Sequence, residues 1–124
     1  MDSLKKCYLI LKPNGILSIQ LLNYEKILTE NKRIINITEG SEKFYVRFYD
    51  FTGTEIIFNI LTFSKLNLSD NSLISTLIYP HLQSDFITGL RKVGFSSFHF
   101  YSDFDLSSFE REQSGDLIIK AEKI

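Results

Sequence analysis

Five side chains stand where this sequence could bind a small molecule. Asn23 and Tyr24 directly follow a predicted strand, and ligands of open α/β sheets bind outside the carboxyl ends of parallel strands. Arg47 and Tyr49 alternate on the polar face of a predicted hairpin, where a guanidinium can form a bidentate pair with a carboxylate or phosphate. His81 lies at a corner between a predicted strand and a predicted helix. These residues are the candidate substrate-binding set.

Each candidate also has a purely structural interpretation. Asn23 is a good N-cap for a helix that begins at the next residue. An arginine in a strand commonly pairs with a neighbouring strand, and Asn59 or Glu55 could partner Arg47. His99 alternates with phenylalanines and is interpreted as a face residue of a strand rather than a base. Both interpretations stay open at this stage.

No further chemistry is indicated by motif. The two histidines and the single cysteine, Cys7, are far apart and have no metal-ligand spacing. No Gly-x-Ser-x-Gly elbow is present, so no nucleophile is assigned and the catalytic residues stay unknown. The segment that holds Asp103, Asp105, Glu110 and Glu112 is predicted to be a solvated loop, although it could also rim a pocket.

Composition indicates one globular domain. The chain has 124 residues, with 14 Lys and Arg against 15 Asp and Glu, so no basic surface for nucleic acid or anionic lipid is expected. No apolar run is long enough for a transmembrane helix, and the first residues lack the pattern of a signal peptide. A lone cysteine fits a reducing compartment. We therefore expect a cytoplasmic protein without membrane or nucleic-acid partners.

Periodicity predicts a helix, a strand and a second helix in the first thirty residues. Leu4, Cys7 and Leu11 share one face of a helix over 2–11, which Pro13 and Gly15 end. Residues 16–22 read ILSIQLL, with apolar side chains on both faces, which is typical of a strand in a sheet that is covered on both sides. A short helix is predicted over 24–30, after Asn23.

In the middle of the chain apolar and polar residues alternate as they do in strands, and the last third is predicted to contain a helix and two strands. An antiparallel meander is predicted over 33–38, 43–51, 54–64 and 71–80. A helix over 83–93 ends at Gly94 and is followed by strands at 96–104 and 116–123. The fold class is therefore α/β, α+β in appearance, with two or three helices and an antiparallel strand meander.

The order of these motifs resembles the C-terminal half of the class I S-adenosylmethionine-dependent methyltransferases. In that family a helix ends in an LKPGG turn that leads to the fifth strand, and residues 11–15 read LKPNG, with Asn14 in place of the first glycine. A later helix ends in L..aGF before the sixth strand, as at 90–95, and a final hairpin holds the seventh, as at 114–123. Segment 31–80 looks like the insertion that some small-molecule members have after the fifth strand.

The resemblance implies a partial Rossmann-like methyltransferase sheet. It implies S-adenosyl-L-methionine as cofactor, a small-molecule methyl acceptor, and a substrate-side role for the insertion at 31–80. The family binds its cofactor with a Gly-rich turn after the first strand and with acidic residues after the second and near the fourth. The six glycines of this chain form no Gly-x-Gly pair. We therefore expect no cofactor-binding residues in this segment and no cofactor binding by the segment alone.

Three hypotheses follow for residues 1–124, taken as one domain. The chain is the substrate-side half of a methyltransferase, inactive alone because its cofactor half is missing. Alternatively, it is a non-enzymatic binding module that self-associates through an exposed sheet, because strand 16–22 and one sheet edge would lack a cover. As a third hypothesis, the chain is a complete α+β domain with strand 16–22 covered on both faces. Its partner is accordingly a second copy or the missing half.

Overall fold

A computed structural model describes residues 2–124, which form a mixed α/β structure with three helices and two antiparallel sheets. The elements in chain order are α1 (Asp2–Ile10), β1 (Ile16–Leu22), α2 (Tyr24–Glu30), β2 (Ile34–Glu39), β3 (Lys43–Phe51), β4 (Ile56–Ser64), β5 (Asn71–Ile78), α3 (Gln83–Val93), β6 (Ser97–Tyr101) and β7 (Asp116–Glu122). They divide between two compact units. The α/β unit comprises the residues up to Thr29 together with His81–Ile124, and the strand unit comprises Glu30–Pro80.

The sheet of the α/β unit has the strand order β1-β7-β6. The predicted hairpin of β6 and β7 is confirmed, and β7 also pairs antiparallel with β1 over its whole length. The last strand therefore lies in the middle of the sheet. Because β1 and β6 are both antiparallel to β7, they run parallel to each other and end at the same edge. Asn23 and the loop after Tyr101 lie at that edge.

One face of this sheet holds the hydrophobic core. Leu17, Ile19 and Leu21 of β1 contact a buried cluster from α1, α3 and β7, as the alternation in the sequence predicts. The members of this cluster are Leu4, Phe86, Leu90, Phe95, Leu117, Ile119 and Ala121. Helix α3 contributes Phe86 and Leu90, one turn apart on its apolar face. The predicted helix over 83–93 is confirmed at both ends.

The other face of β1 is open, which corrects the expectation of a strand covered on both sides. Ile16 is 63% exposed and Leu22 is 42% exposed, and the residues between them alternate between exposed and half-buried. The alternation along β1 is present in the structure, but an apolar residue on a face does not by itself show that the face is covered. This exposure does not support the hypothesis of a complete domain in which β1 is covered on both faces.

Asn14 and Gly94 have left-handed backbone in the turns that precede β1 and follow α3. Asn14 has φ 66°, and asparagine tolerates this conformation better than most residues, so it replaces glycine in the turn before β1. Gly94 after α3 has φ 119°, and a Cβ atom there would lie 3.0 Å from the Tyr8 ring. Lys123 Nζ donates to the carbonyls of Tyr8 and Leu11 at 2.8 and 2.9 Å, which satisfies the end of α1.

The strand unit is a four-stranded antiparallel meander with the order β2-β3-β4-β5, as predicted. The predicted bounds differ from the structure only at the ends, since β4 begins at Ile56 and β5 ends at Ile78. A register irregularity lies between Ile34 and Asn36 in β2. The side chains of β2 are exposed throughout. None of the helices described over 2–124 is long and apolar enough to cross a membrane.

Candidate functional site

Asn23 is the most constrained of the predicted site residues. It is buried at the end of β1, where its Nδ2 donates to the carbonyl oxygens of Arg111 and Ser114, both at 2.8 Å. Its backbone N–H donates to the Gly115 carbonyl at 3.0 Å. These bonds join the end of β1 to the loop that leads into β7. The Nδ2 donor of Asn23 therefore serves the protein itself.

The structure also places Asn23 at the N-cap position of α2. Its carbonyl accepts the backbone N–H of Ile27 at 3.3 Å, which is the first bond of the helix. The side-chain amide, in contrast, bonds to the distant loop. Asn23 thus has two structural roles: it begins α2, and it ties the loop before β7 to the end of β1.

Tyr24 and Glu25 form the first turn of α2 beside this tether. Tyr24 is half-buried, and burial raises the pKa of its phenol above the usual value of 10.0. Glu25 Oε2 accepts from Nε of Arg111 at 2.6 Å. This pair raises the pKa of the Arg111 guanidinium, because the hydrogen bond and the charge of Glu25 favour its charged form. The edge where β1 ends therefore combines an amide, a phenol and an ion pair.

The loop from Ser102 to Gly115 completes this edge. Asp103 Oδ1 accepts the N–H groups of Asp105 and Ser107 at 3.0 and 3.1 Å. Hydrogen bonds from Ser107 and Asp105 lower the pKa of the Asp103 carboxyl below its usual value of 3.8. The acidic segment is thus a structured turn in which one carboxylate organises the backbone. Its carboxylates do not converge on a metal site, and no metal-ligand cluster is found among residues 2–124.

The two histidines lie at the surface of the α/β unit. His81 precedes α3, and its ring lies 6.2 Å from the Phe86 ring in an edge-on arrangement. Asp85 Oδ2 accepts the Leu82 N–H at 2.8 Å and so fixes the start of α3 close to His81. His99 is an exposed residue of β6, as its alternation with phenylalanines predicts.

Arg47 lies in the strand unit, and its partners differ from those expected. Its Nη1 donates to Asn36 Oδ1 and Thr38 Oγ1, both at 3.2 Å, so it pairs with β2. The expected partner Asn59 lies opposite Phe48, and residues opposite each other share a face. Asn59 is therefore on the other face of the sheet from Arg47. The sequence did not show which neighbouring strand would supply the partners.

Tyr49 is buried, with 8% of its surface exposed, which corrects the expectation that it shares a polar face with Arg47. Its ring lies 5.9 Å from that of Phe51 and 6.0 Å from that of Phe58. The face changes from polar at Arg47 to aromatic at Tyr49 within two residues. Strand alternation predicts which residues share a face, but it does not predict how burial varies along that face.

A polar network around the buried Asn59 of the strand unit is a feature that the sequence analysis does not identify. Asn59 is buried, and its Nδ2 donates to Asp50 Oδ2 at 3.0 Å. Ser75 Oγ donates to Asn59 Oδ1 at 2.6 Å, and Arg33 pairs with the Asp50 carboxylate. The signal was a single asparagine inside the apolar run IIFNILTF, because a buried amide needs partners on the neighbouring strands.

The structure distributes the candidate residues over both units. Asn23, Tyr24 and His81 belong to the α/β unit, whereas Arg47 and Tyr49 belong to the strand unit. The binding role of all five residues stays a prediction. A groove of about 370 Å³ lies between α1 and α3 and is lined by other residues, among them Asp2, Lys5 and Leu9.

The residues present do not fit an S-adenosylmethionine cradle. The glycines with left-handed backbone, Gly53 and Gly94, serve a hairpin and a helix end. A Cβ atom at Gly15 would lie 2.8 Å from the Lys12 carbonyl, so that glycine is required by its own turn. Close approach of backbone to a cofactor requires glycines grouped after a strand. Such a group is not found in the part of the chain that the structure describes.

Comparison with solved structures identifies a similar fold. The CcbJ methyltransferase from Streptomyces caelestis matches 99% of this chain with a TM-score of 0.77 at 12% identity, over 52% of its own length. An S-adenosylmethionine-dependent methyltransferase from Clostridium acetobutylicum ATCC 824 matches 97% of the chain with a TM-score of 0.67 at 11% identity, over 49% of its own length. Neither a protein-family model nor a curated protein sequence matches the chain.

The chain therefore has the fold of about half of an S-adenosylmethionine-dependent methyltransferase. It spans about half the length of the solved structures that it matches. At this low identity the likeness concerns the fold alone. The fold thus agrees with the resemblance that the motifs at 11–15, 90–95 and 114–123 indicated.

Proposed function

We propose that this chain is the substrate-side portion of an S-adenosylmethionine-dependent methyltransferase that acts on a small molecule. The observation that carries the proposal is the match of nearly the whole chain to about half of two such enzymes. The LKPNG turn, the GF turn and the final strand support the same assignment, because they follow one another in the order that the resemblance to the C-terminal half of the methyltransferases implies.

In this proposal the chain positions the methyl acceptor and supplies no reacting group. Methyl transfer depends mainly on holding donor and acceptor in line, so a recognisable nucleophile is not required. Asn23 and Tyr24 stand at the edge where β1 and β6 end, which is where ligands of such sheets bind. Arg47, Tyr49 and His81 are the further candidates for contact with the methyl acceptor. S-adenosylmethionine would be held by residues outside this chain.

The test is to express the complete reading frame that contains the codons of this chain, including the DNA upstream of Met1. We expect a Gly-rich strand–turn–helix segment there, and saturable binding of S-adenosylhomocysteine in equilibrium dialysis. The 124-residue chain alone is the matched control and should retain no ligand. An upstream sequence without such a segment, or a longer product that does not bind, would contradict the proposal.

A second function has its own supporting observation. The open face of β1 and its exposed ends, Ile16 and Leu22, favour a non-enzymatic α+β binding module that self-associates through its exposed sheet. This alternative predicts a stable assembly and no methyl-donor binding in any form of the protein. A cytoplasmic location is part of both proposals, since the single cysteine fits a reducing compartment.

A further inference from the structure

The two faces of the strand-unit sheet differ in charge. Side chains that lie opposite each other in an antiparallel ladder share a face, so the register assigns each strand residue to one face. The carboxylates of these strands, Glu39 and Asp50, lie on one face, where Lys65 pairs with the first and Arg33 with the second. The opposite face, here called the Arg47 face, has positively charged residues but no Asp or Glu from β2 to β5.

Arg47 is held on this face by neutral groups. Its Nη1 donates to Asn36 and Thr38, and its guanidinium carbon lies 5.9 Å from the centre of the Tyr45 ring. A guanidinium has five N–H donors, and Nη1 supplies two of them. No hydrogen bond from Nε or Nη2 and no carboxylate partner of Arg47 is found within residues 2–124. This half-buried guanidinium is therefore oriented, with its charge and three donors available to a ligand.

Apolar side chains lie beside Arg47 on the same face. The register places Asn36, Arg47, Ile60 and Ile74 in one row across the four strands. Neighbouring strands are about 4.8 Å apart, so the two isoleucines lie roughly 5 and 10 Å from Arg47, on the side away from Asn36. Ile60 is half-buried and Ile74 is 64% exposed. The row therefore offers an anion site at one end and an uncovered apolar surface at the other.

We propose that the Arg47 face recognises the methyl acceptor as a carboxylate whose apolar body lies over Ile60 and Ile74, an inference that rests on the proposed function. Two parallel bonds from Nε and Nη2 match the two oxygens of a carboxylate. The bonds of Nη1 to Asn36 and Thr38 fix the plane of the guanidinium, which lowers the entropy cost of binding. Arg47 orients the acceptor in this way and takes no part in the methyl transfer itself.

Titration of benzoate into the isotope-labelled 124-residue chain, followed by NMR, tests the site. Benzamide has the ring without the charge, and acetate has the carboxylate without the ring. We expect saturable shifts of the Asn36, Arg47 and Ile60 amides with benzoate. Benzamide and acetate should each bind about tenfold more weakly, because each lacks one of the two contacts. No binding of benzoate, or equal affinity for either of the other two probes, would overturn the proposal.

Substitutions assign the binding to Arg47. Arg47→Gln should weaken benzoate binding by about tenfold to a hundredfold, because the charge and the bidentate donors are lost. Arg91→Gln removes the same charge from the surface of α3 and should leave the affinity unchanged. Asn36→Asp keeps Arg47 and places a carboxylate beside its Nη1, so it should also weaken binding. Unchanged affinity of a folded Arg47→Gln chain, or of Asn36→Asp, would overturn the proposal.

The complete product of the reading frame separates this inference from the proposed function. Binding of both S-adenosylhomocysteine and benzoate, with benzoate lost in Arg47→Gln, would support both. A product that binds S-adenosylhomocysteine but excludes benzoate, while the 124-residue chain binds it, would show that an acidic side chain elsewhere in the protein pairs with Arg47. That result would overturn this inference alone. A product that binds benzoate but no S-adenosylhomocysteine would contradict the proposed function and the identity of the ligand as a methyl acceptor, and the carboxylate site would stand.

Discussion

The two units of this chain are stabilised in different ways. The α/β unit packs two helices on one face of its sheet, and its core consists of aliphatic and aromatic side chains such as Leu90 and Phe95. The strand unit has the most extensive strand pairing of the molecule, yet β2 is exposed throughout and β5 nearly so. Its buried residues are few, namely Tyr49, Ile56 and Asn59, so a polar amide lies within its buried centre.

This difference in packing between the two units indicates which of them holds its side chains in fixed positions. The α/β unit holds the edge at which ligands of such folds bind, and its helices and the Asn23 tether position that edge. The strand unit presents large side chains at its surface and is held by cross-strand pairs, such as Phe44 and Phe63 with ring centroids 5.4 Å apart. We therefore expect packing changes to affect the α/β unit most, and hydrogen-bond changes to affect the strand unit.

The largest effect is expected for Phe95→Ala. Phe95 is buried in the α/β core, and its ring meets Tyr8 edge-on at 5.0 Å. Its truncation should lower the free energy of unfolding by about 3–5 kcal/mol, because it removes apolar contacts and leaves a cavity. Urea unfolding followed by circular dichroism measures the change. Phe104→Ala, at a residue that is 62% exposed, is the control and should change stability by less than about 0.5 kcal/mol.

A smaller effect is expected for Asn59→Ala in the strand unit. The substitution removes the hydrogen bonds of the buried Asn59 amide to Ser75 and Asp50, each of which contributes about 0.5–1.5 kcal/mol. Urea unfolding gives the magnitude, and hydrogen exchange of the β4 amides locates it. Asn36→Ala is the surface control and should cost less, because the hydrogen bond that its amide accepts from Arg47 is exposed to solvent. A larger loss for Asn59→Ala than for Phe95→Ala would reverse the proposed difference between the units.

The smallest effect concerns pH and Tyr24. Burial raises the pKa of this phenol in the folded state above the ordinary value of 10.0. Between the unfolded and folded pKa values the unfolded chain loses the proton and the folded chain keeps it, so stability falls as the pH rises above about 10. Tyr24→Phe should lessen this fall and leave stability at neutral pH almost unchanged. Identical alkaline profiles of the two proteins in urea unfolding would contradict the burial of Tyr24.

The fold was largely predictable from the sequence. Residues 16–22, 24–30 and 83–93 were assigned to the correct elements with the correct bounds, because their periodicity and flanking turn residues agree. The pairing of β7 with β1 was not predicted. It joins segments about a hundred residues apart, and nothing in local periodicity encodes a contact at that separation.

The candidate site was less predictable than the fold. Asn23 was selected because it follows a strand, but its bonds to Arg111 and Ser114 depend on the course of a distant loop. The burial of Tyr49 and the partners of Arg47 depend on neighbouring strands rather than on local alternation. Sequence patterns assign faces, and packing of neighbouring strands and loops decides which of those faces are available for binding.

The most direct test of the central claim is a calorimetric titration of S-adenosylmethionine into the folded 124-residue chain. We expect no saturable heat, because the glycines of the chain form no Gly-x-Gly cradle and the Nδ2 donor of Asn23 at the end of β1 is bonded to the protein itself. A one-site isotherm with tight binding would contradict it. That result would mean that these residues hold the methyl donor without the other half of the fold.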